Sequence, residues 1–292
     1  MIGLILLACA GTDAAPVADS ASEWDGCADS PWIDVAAGNG LVCGLHVDGC
    51  GECWGRTDDA DAAMPDRTWL DVELPAVTGL DTEHGCGRID GGSLCWGRSS
   101  HGQTSMPDEE FEALALGLDS TCGIRTDGTI RCMGPRTIED STPSVRFSKI
   151  VGGIGFCGLT VEGAVMCWGY HGQTRLDSVV ATDIAQSDDV IWALKSDRAS
   201  AWWVDGGGAL PTADFDVPDY RKHLCRGCFI RTDGSIDCDA SGSASEPPAG
   251  EFSALVCADR YACALRGDGH LTCWGEGDAT NAWYQVPGSY GG

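Results

Sequence analysis

The apolar positions of this chain come in one recurring group. An aromatic residue or Val follows a proline-bearing loop, a strand of small residues comes next, and a hairpin follows whose far arm often ends in Cys-Trp-Gly. The openings are Pro31-Trp32, Trp69, Phe111, Phe147, Val180, Tyr220 and Phe252. The first hairpin cysteines, Cys43, Cys86, Cys122, Cys157, Cys228 and Cys263, recur at roughly 35 residues, except for one double step after Cys157. A further unit fits into that step if Trp192 and Trp202 stand where its cysteine pair would be. Repeated β units of this length predict an all-β, seven-bladed β-propeller of about 35-residue repeats.

Turn geometry predicts which cysteines meet. A three-residue loop ending in a left-handed glycine, such as Val47-Asp48-Gly49, leaves Cys43 and Cys53 equidistant from its centre and opposite each other across the hairpin. The same holds for Cys122 and Cys132 about Thr126-Asp127-Gly128, and for Cys157 and Cys167 about Val161-Glu162-Gly163. It holds again for Cys228 and Cys238 about Thr232-Asp233-Gly234, and for Cys263 and Cys273 about Gly267-Asp268-Gly269. Cys86 and Cys95 are one residue closer in sequence, and the turn between them, Asp90-Gly91, is one residue shorter. Each pair falls on a non-hydrogen-bonded rung, where Cα atoms are close enough for a disulfide.

The phrases Cys-Gly-Ile-Arg-Thr-Asp-Gly-Thr-Ile-Arg-Cys (122–132) and Cys-Ala-Leu-Arg-Gly-Asp-Gly-His-Leu-Thr-Cys-Trp-Gly (263–275) resemble the repeats of the regulator of chromosome condensation family. So do Cys95-Trp96-Gly97 before His101-Gly102-Gln103, and Cys167-Trp168-Gly169 before His171-Gly172-Gln173. The resemblance is closest to the family's cysteine-rich bacterial members and runs over roughly residues 30 to 290. It implies the propeller fold and a protein-binding face, as in bacterial members that inhibit β-lactamase. It also brings to mind the founding member's exchange activity on a small GTPase and its contact with chromatin, but charge, export signal and disulfides contradict that activity here. The end of the chain, Trp283-Tyr284-Gln285-Val286-Pro287, echoes Gln103-Thr104-Ser105-Met106-Pro107, so the chain stops where an eighth unit would start, as a closed ring of seven requires.

Composition narrows the setting. A net charge of −26 repels a phosphate backbone, which speaks against nucleic acid, and 17 cysteines fit an oxidising compartment. Residues 1–9 read as a lipoprotein-type signal segment. Leu6-Leu7-Ala8-Cys9 resembles a lipobox that would make Cys9 the lipidation site, with plain secretion as the alternative. Residues 10–29 read as a flexible tether and 30–292 as the propeller. The membrane is then touched only through the anchor, in a bacterial envelope or at its outer surface. Of the remaining cysteines, Cys225 and Cys257 each lie five residues after an opening aromatic and are placed to meet between neighbouring inner strands, while Cys27 and Cys50 pair by elimination. Zinc at Cys50-Gly51-Glu52-Cys53 or Cys225-Arg226-Gly227-Cys228 is disfavoured because the second cysteine of each already belongs to a hairpin. Calcium at Asp58, Asp59 and Asp61 competes with simple solvation.

No catalytic motif is present, and His46, His84, His101, His171, His223 and His270 are scattered among the units. The recurrence of His101 and His171 beside Gly-Gln points to a structural hydrogen bond. Trp54, Trp96, Trp168 and Trp274 repeat at one position and are assigned to packing. Trp192, Trp202 and Trp203 break the pattern in the fifth unit, which makes them the candidate binding residues, Trp203 facing away from the presumed 192/202 pair. The expected function is a monomeric, non-catalytic propeller without cofactor or metal that binds a protein or other envelope macromolecule on one face. The alternative is a hydrolase or lyase built on carboxylates in the central channel.

Overall fold

The computed structural model describes residues 27, 29–38, 41–55, 64–75, 84–170, 172–187, 190–195, 198–205, 208–216, 220–225, 228–238, 246–257, 261–275 and 286, with backbone alone for 177–179, 187 and 198–225. Among these residues the strands form seven antiparallel sheets, each built from consecutive strands. The first comprises an inner strand Trp32–Gly38, a middle strand Leu41–His46 and a third strand Gly51–Gly55. The second pairs His84–Ile89 with Gly92–Gly97 and takes Glu73 as an isolated bridge partner of Cys86. The third and fourth open with inner strands Phe111–Leu116 and Phe147–Gly152, and the fourth gains an outermost strand, Gly172–Val180. The fifth runs Asp183–Ser187, Val190–Leu194, Arg198–Asp205 and Gly208–Asp216; the sixth and seventh begin at Tyr220–Cys225 and Phe252–Cys257. Among the described residues one helix, Arg136–Ser141, buries Ile138 between the third and fourth sheets.

Each blade hairpin is shaped by its turn residues. The turn glycines take positive φ, from 77° at Gly91 to 86° at Gly269, where a side chain would be strained. The preceding aspartates accept the backbone N–H two residues on: Asp48 from Cys50 (3.0 Å), Asp127 from Thr129 (2.9 Å) and Asp233 from Ser235 (2.9 Å). The resulting register pairs Cys43 with Cys53, Cys86 with Cys95, Cys122 with Cys132, Cys157 with Cys167, Cys228 with Cys238 and Cys263 with Cys273. All six are disulfides, with Cα atoms 3.9 to 4.0 Å apart. A seventh joins Cys27 to Cys50.

The core lies between the blades. The opening ring of a blade lies on the glycine after its own first cysteine: a Cβ on Gly44, Gly87, Gly123 or Gly158 would overlap the ring of Trp32, Trp69, Phe111 or Phe147. The same aromatic side then meets the disulfide face of the blade before. Trp69 and Trp96 cluster with Cys43, Phe111 with Cys86, Phe147 and Trp168 with Cys122 and Cys132, and Trp274 with Cys228. The last blade meets the first in the same way, Cys263 and Leu271 packing with Trp32 and Trp54. Backbone hydrogen bonds follow the same path. The opening amides Trp69, Phe147, Ala181 and Phe252 donate to the turn carbonyls Gly49, Gly128, Gly163 and Gly234 of the preceding blade, and Trp32 donates to Gly269. Tyr261 Oη adds a bond to the Leu41 carbonyl at the last-to-first junction, 2.9 Å.

The fifth blade departs from the sequence reading by one residue at each end. Ala181, not Val180, donates the opening hydrogen bond. Trp192 pairs with Ala201, and Trp202 with Ile191, so Trp192 and Trp202 are not a cross-strand pair. The last described pair of this hairpin is Leu194 with Ala199. Trp203 stands opposite Val190, two rungs from the Trp192 pair, and its side chain lies outside the described residues. The two His-Gly-Gln segments also differ. Gln103 is buried and accepts the His101 amide at 2.8 Å, whereas Gln173 is exposed on the added outer strand, and His171 lies outside the described residues.

Replacing Cys122 and Cys132 together by Ser is expected to cost about 2–3 kcal/mol, the chain-entropy value for a loop of roughly ten residues. Denaturant titration of the double variant against the wild type measures it; a loss below ~0.5 kcal/mol would contradict the stapling role.

Candidate functional site

The inner strands enclose a central cavity of about 280 Å³. Its wall is formed mainly by small apolar residues, among them Val35, Ala36, Leu114, Ala115, Val151, Ala185 and Val256, with Asp34, Glu73 and Lys149 as its ionisable residues. Repeat positions explain this division. Two residues after the opening residue stand Asp34, Asp71, Ala113, Lys149, Asp183 and Ala254, a charged layer at the end where the inner strands begin. Two residues further on stand Ala36, Ala115, Val151, Ala185 and Val256, and in the second blade Glu73. Trp192 also lines the cavity; its indole is 8% exposed and meets Phe229 of the next blade edge-on at 6.3 Å. It occupies the position filled elsewhere by the first hairpin cysteine, opposite Ala201.

Within the charged layer two carboxylates are paired, Asp71 with Arg88 and Asp183 with Lys149, each at 2.5 Å. Asp34 of this layer and Glu73 of the next are not neutralised in this way. Burial pushes the Asp34 carboxyl up to about 6, assisted by the charge of Asp71 and opposed by the Val35 and Val72 amides and Arg88. Burial, with the charges of Asp34 and Asp71, holds Glu73 well above the usual carboxylate range against the weaker pull of Lys149 and Arg88. Both side chains keep part of their surface open to the channel while protein surrounds them. The buried His84, pushed down to about 4 by its burial, is neutral and sits 3.3 Å from Thr121 Oγ1.

A second feature lies on one face of the disc. The turns joining middle and third strands and the starts of the inner strands share this face, because the turns at Gly49, Gly128, Gly163, Gly234 and Gly269 bond to the next opening. Among the described residues the exposed large apolar side chains, Ile33, Val47, Leu70, Val145, Val161 and Val180, all belong to those turns and openings. Sequence reasoning missed this face and missed Glu73. The first is spread thinly over the repeats, and the second becomes visible only when inner strands rather than cysteines are aligned.

The other predicted residues fall as follows. Trp192 is a cavity-wall residue, while Trp202 and Trp203 lie on the third strand of blade five, where the backbone alone is described. Cys9 and the Asp58, Asp59 and Asp61 loop lie outside the described residues. Cys257 is disulfide-bonded, and the side chain of Cys225 lies outside the described residues. Cys50 and Cys53 are each joined to another cysteine, and Cys27, which stands near His46 and Glu52, is held by Cys50, so these sulfurs are not free to ligate a metal. Trp54, Trp96, Trp168 and Trp274 pack between blades.

The sequence matches no family model and no curated protein. The structure is similar to the CRINKLY WD40 ectodomain of the Arabidopsis thaliana receptor kinase ACR4, with a TM-score of 0.62 at 20% identity over 86% of this chain and 98% of that one. It is similar to the ectodomain of the Physcomitrella patens receptor kinase CR4, with a TM-score of 0.63 at 20% identity over 85% of this chain and 74% of that one. Prp20p of Saccharomyces cerevisiae has a TM-score of 0.60 at 12% identity over 88% of this chain and 83% of that one. These likenesses show a propeller repeat fold.

Because Asp34 and Glu73 have raised folded-state pKa values, the stability linked to their protonated forms is complete at low pH and is lost as pH rises, through about 6 for Asp34 and higher for Glu73. The Asp34→Asn/Glu73→Gln variant therefore gains on the wild type between pH 4 and pH 7, by on the order of 1 kcal/mol. Paired thermal melts across that range measure it, and a pH-independent difference would contradict the assignment.

Proposed function

We propose that this chain is a lipid-anchored, extracytoplasmic, monomeric propeller that binds a protein through its turn face and performs no catalysis. The single observation that carries the reading is the gathering of the exposed apolar side chains on that face, from 38% exposed at Val145 to 71% at Val180. Binding residues lie disproportionately on loops held by a rigid scaffold, and these turns are held by the stapled hairpins. Prp20p, described for its binding properties to Gsp1p and histones, lends the fold a protein-binding precedent. The chain of disulfides supports an oxidising, extracytoplasmic setting. No helix among the described residues is long and apolar enough to cross a membrane, and the lipobox-like Leu6-Leu7-Ala8-Cys9 supports attachment by a lipid.

The raised carboxyl groups of the channel favour the hydrolase or lyase alternative less than they first suggest. An acid and base working together have pKa values pushed apart, one raised and one kept ionised. Asp34 and Glu73 are both pushed upward, and the remaining carboxylates of the layer, Asp71 and Asp183, are held by Arg88 and Lys149.

Val47→Asp and Val161→Asp, both in exposed turns, are expected to leave the melting temperature unchanged and to weaken partner capture by about tenfold or more, measured with the soluble fragment from residue 24 onward as bait. Trp203→Ala tests the competing blade-five surface; loss of capture there, with turn-face variants intact, would move the binding site.

Cys9→Ser is expected to release the protein from the membrane fraction into the soluble fraction. Mass spectrometry of the mature N-terminus checks the anchor directly: an unmodified terminus cut elsewhere would leave simple secretion.

A further inference from the structure

We propose that the central channel binds a small organic cation, an alkylammonium ion whose head lies at Glu73 and Asp34 and whose carbon chain lies along the apolar wall. Glu73 breaks the repeat pattern of the inner strands. The described blades place Ala36, Ala115, Val151, Ala185 and Val256 at its repeat position, so the fold accepts a small apolar residue there and has no need of a carboxylate. Glu73 nevertheless stands enclosed by protein, lines the cavity, and has no hydrogen bond or ion pair to its side chain among the described residues. An unpartnered enclosed carboxyl costs stability, and a side chain that breaks the repeat rule at such a cost is accounted for by a ligand.

The surroundings select the ligand's chemistry. Asp34 lines the same cavity, and the cations nearest the pair, Lys149 and Arg88, are already engaged by Asp183 and Asp71. Among the described residues no other cation is left for the pair, so the charge that Asp34 and Glu73 take on deprotonation is uncompensated and negative. Among the described residues no three channel carboxylates converge within reach of one metal ion, and a cavity of about 280 Å³ is far larger than an ion requires. Its apolar wall suits a hydrocarbon body, while an ammonium head offers three N–H donors to carboxylates that have none from the protein side chains. Trp192, at the position where other blades carry a disulfide, adds an indole to the same wall, the side chain with the strongest attraction for a cation.

The probe is n-pentylammonium, with 1-pentanol and pentanoate as neutral and anionic counterparts of the same length. Thermal melts and saturation-transfer NMR on the soluble propeller are expected to show stabilisation and contact by pentylammonium that neither counterpart matches. Glu73→Ala, which installs the residue of the other blades, is expected to melt at or above the wild-type temperature and to bind pentylammonium about tenfold or more weakly. Asp34→Asn should weaken it in the same direction. The inference is overturned if pentanol stabilises as well as pentylammonium, if no saturable response occurs, or if Glu73→Ala binds like the wild type. A Glu73→Ala protein melting well below the wild type would also overturn it, by giving Glu73 a structural task. Val161→Asp, on the turn face and not among the residues that line the cavity, should leave pentylammonium binding intact, so failure of the docking face and failure of the channel site are read separately.

Discussion

The hydrogen bond from an opening amide to the turn carbonyl of the preceding blade is the constraint on which this molecule is built. It requires a hairpin whose last turn residue is left-handed, because only that conformation closes the three-residue loop and presents its carbonyl to the next strand. Glycine answers that demand at Gly49, Gly128, Gly163, Gly234 and Gly269. The close approach adds a second reason: a Cβ on Gly49 would run into Thr68, and one on Gly269 into Pro31. The same turns centre the hairpins, so the cysteines meet on one rung and the disulfide faces the aromatic ring that the hydrogen bond has just positioned.

That coupling explains how much of the fold was legible in the sequence. Turn, cysteine spacing and aromatic opening are three views of one geometric unit, and where all three are present the register follows. In blade five the disulfide and the turn glycine are both missing, and a spacing carried over from the other blades put Trp202 where Ala201 belongs. The functional features were less legible for a different reason. Glu73 is a single residue in an inner strand whose pairing is reduced to one bridge, and its oddity depends on knowing which residues share a channel layer. Ile33, Val47, Leu70 and Val161 are ordinary isolated apolar residues until the turns are brought to one face.

Two kinds of surface thus come from one repeat. The turn face carries exposed side chains that the inter-blade packing does not use, which leaves them available for a partner. The inward ends must be small to fit around the axis, and that narrowness makes a charge at Glu73 conspicuous and its chemistry strong, since protein rather than bulk water surrounds it. Stability for both rests on the layers between blades, where a disulfide, or Trp192 in its place, meets the next blade.

The last-to-first junction tests this account most directly, because Trp32 and Gly269 lie at opposite ends of the described chain and no covalent link holds them together. Native-state hydrogen exchange at the Trp32 amide, compared with the Phe147 amide at an internal junction, reads whether the two hydrogen bonds are equivalent. The account predicts protection of both amides at the level of global unfolding. Rapid exchange at Trp32 beside full protection at Phe147 would contradict it, showing that the last blade is not held to the first.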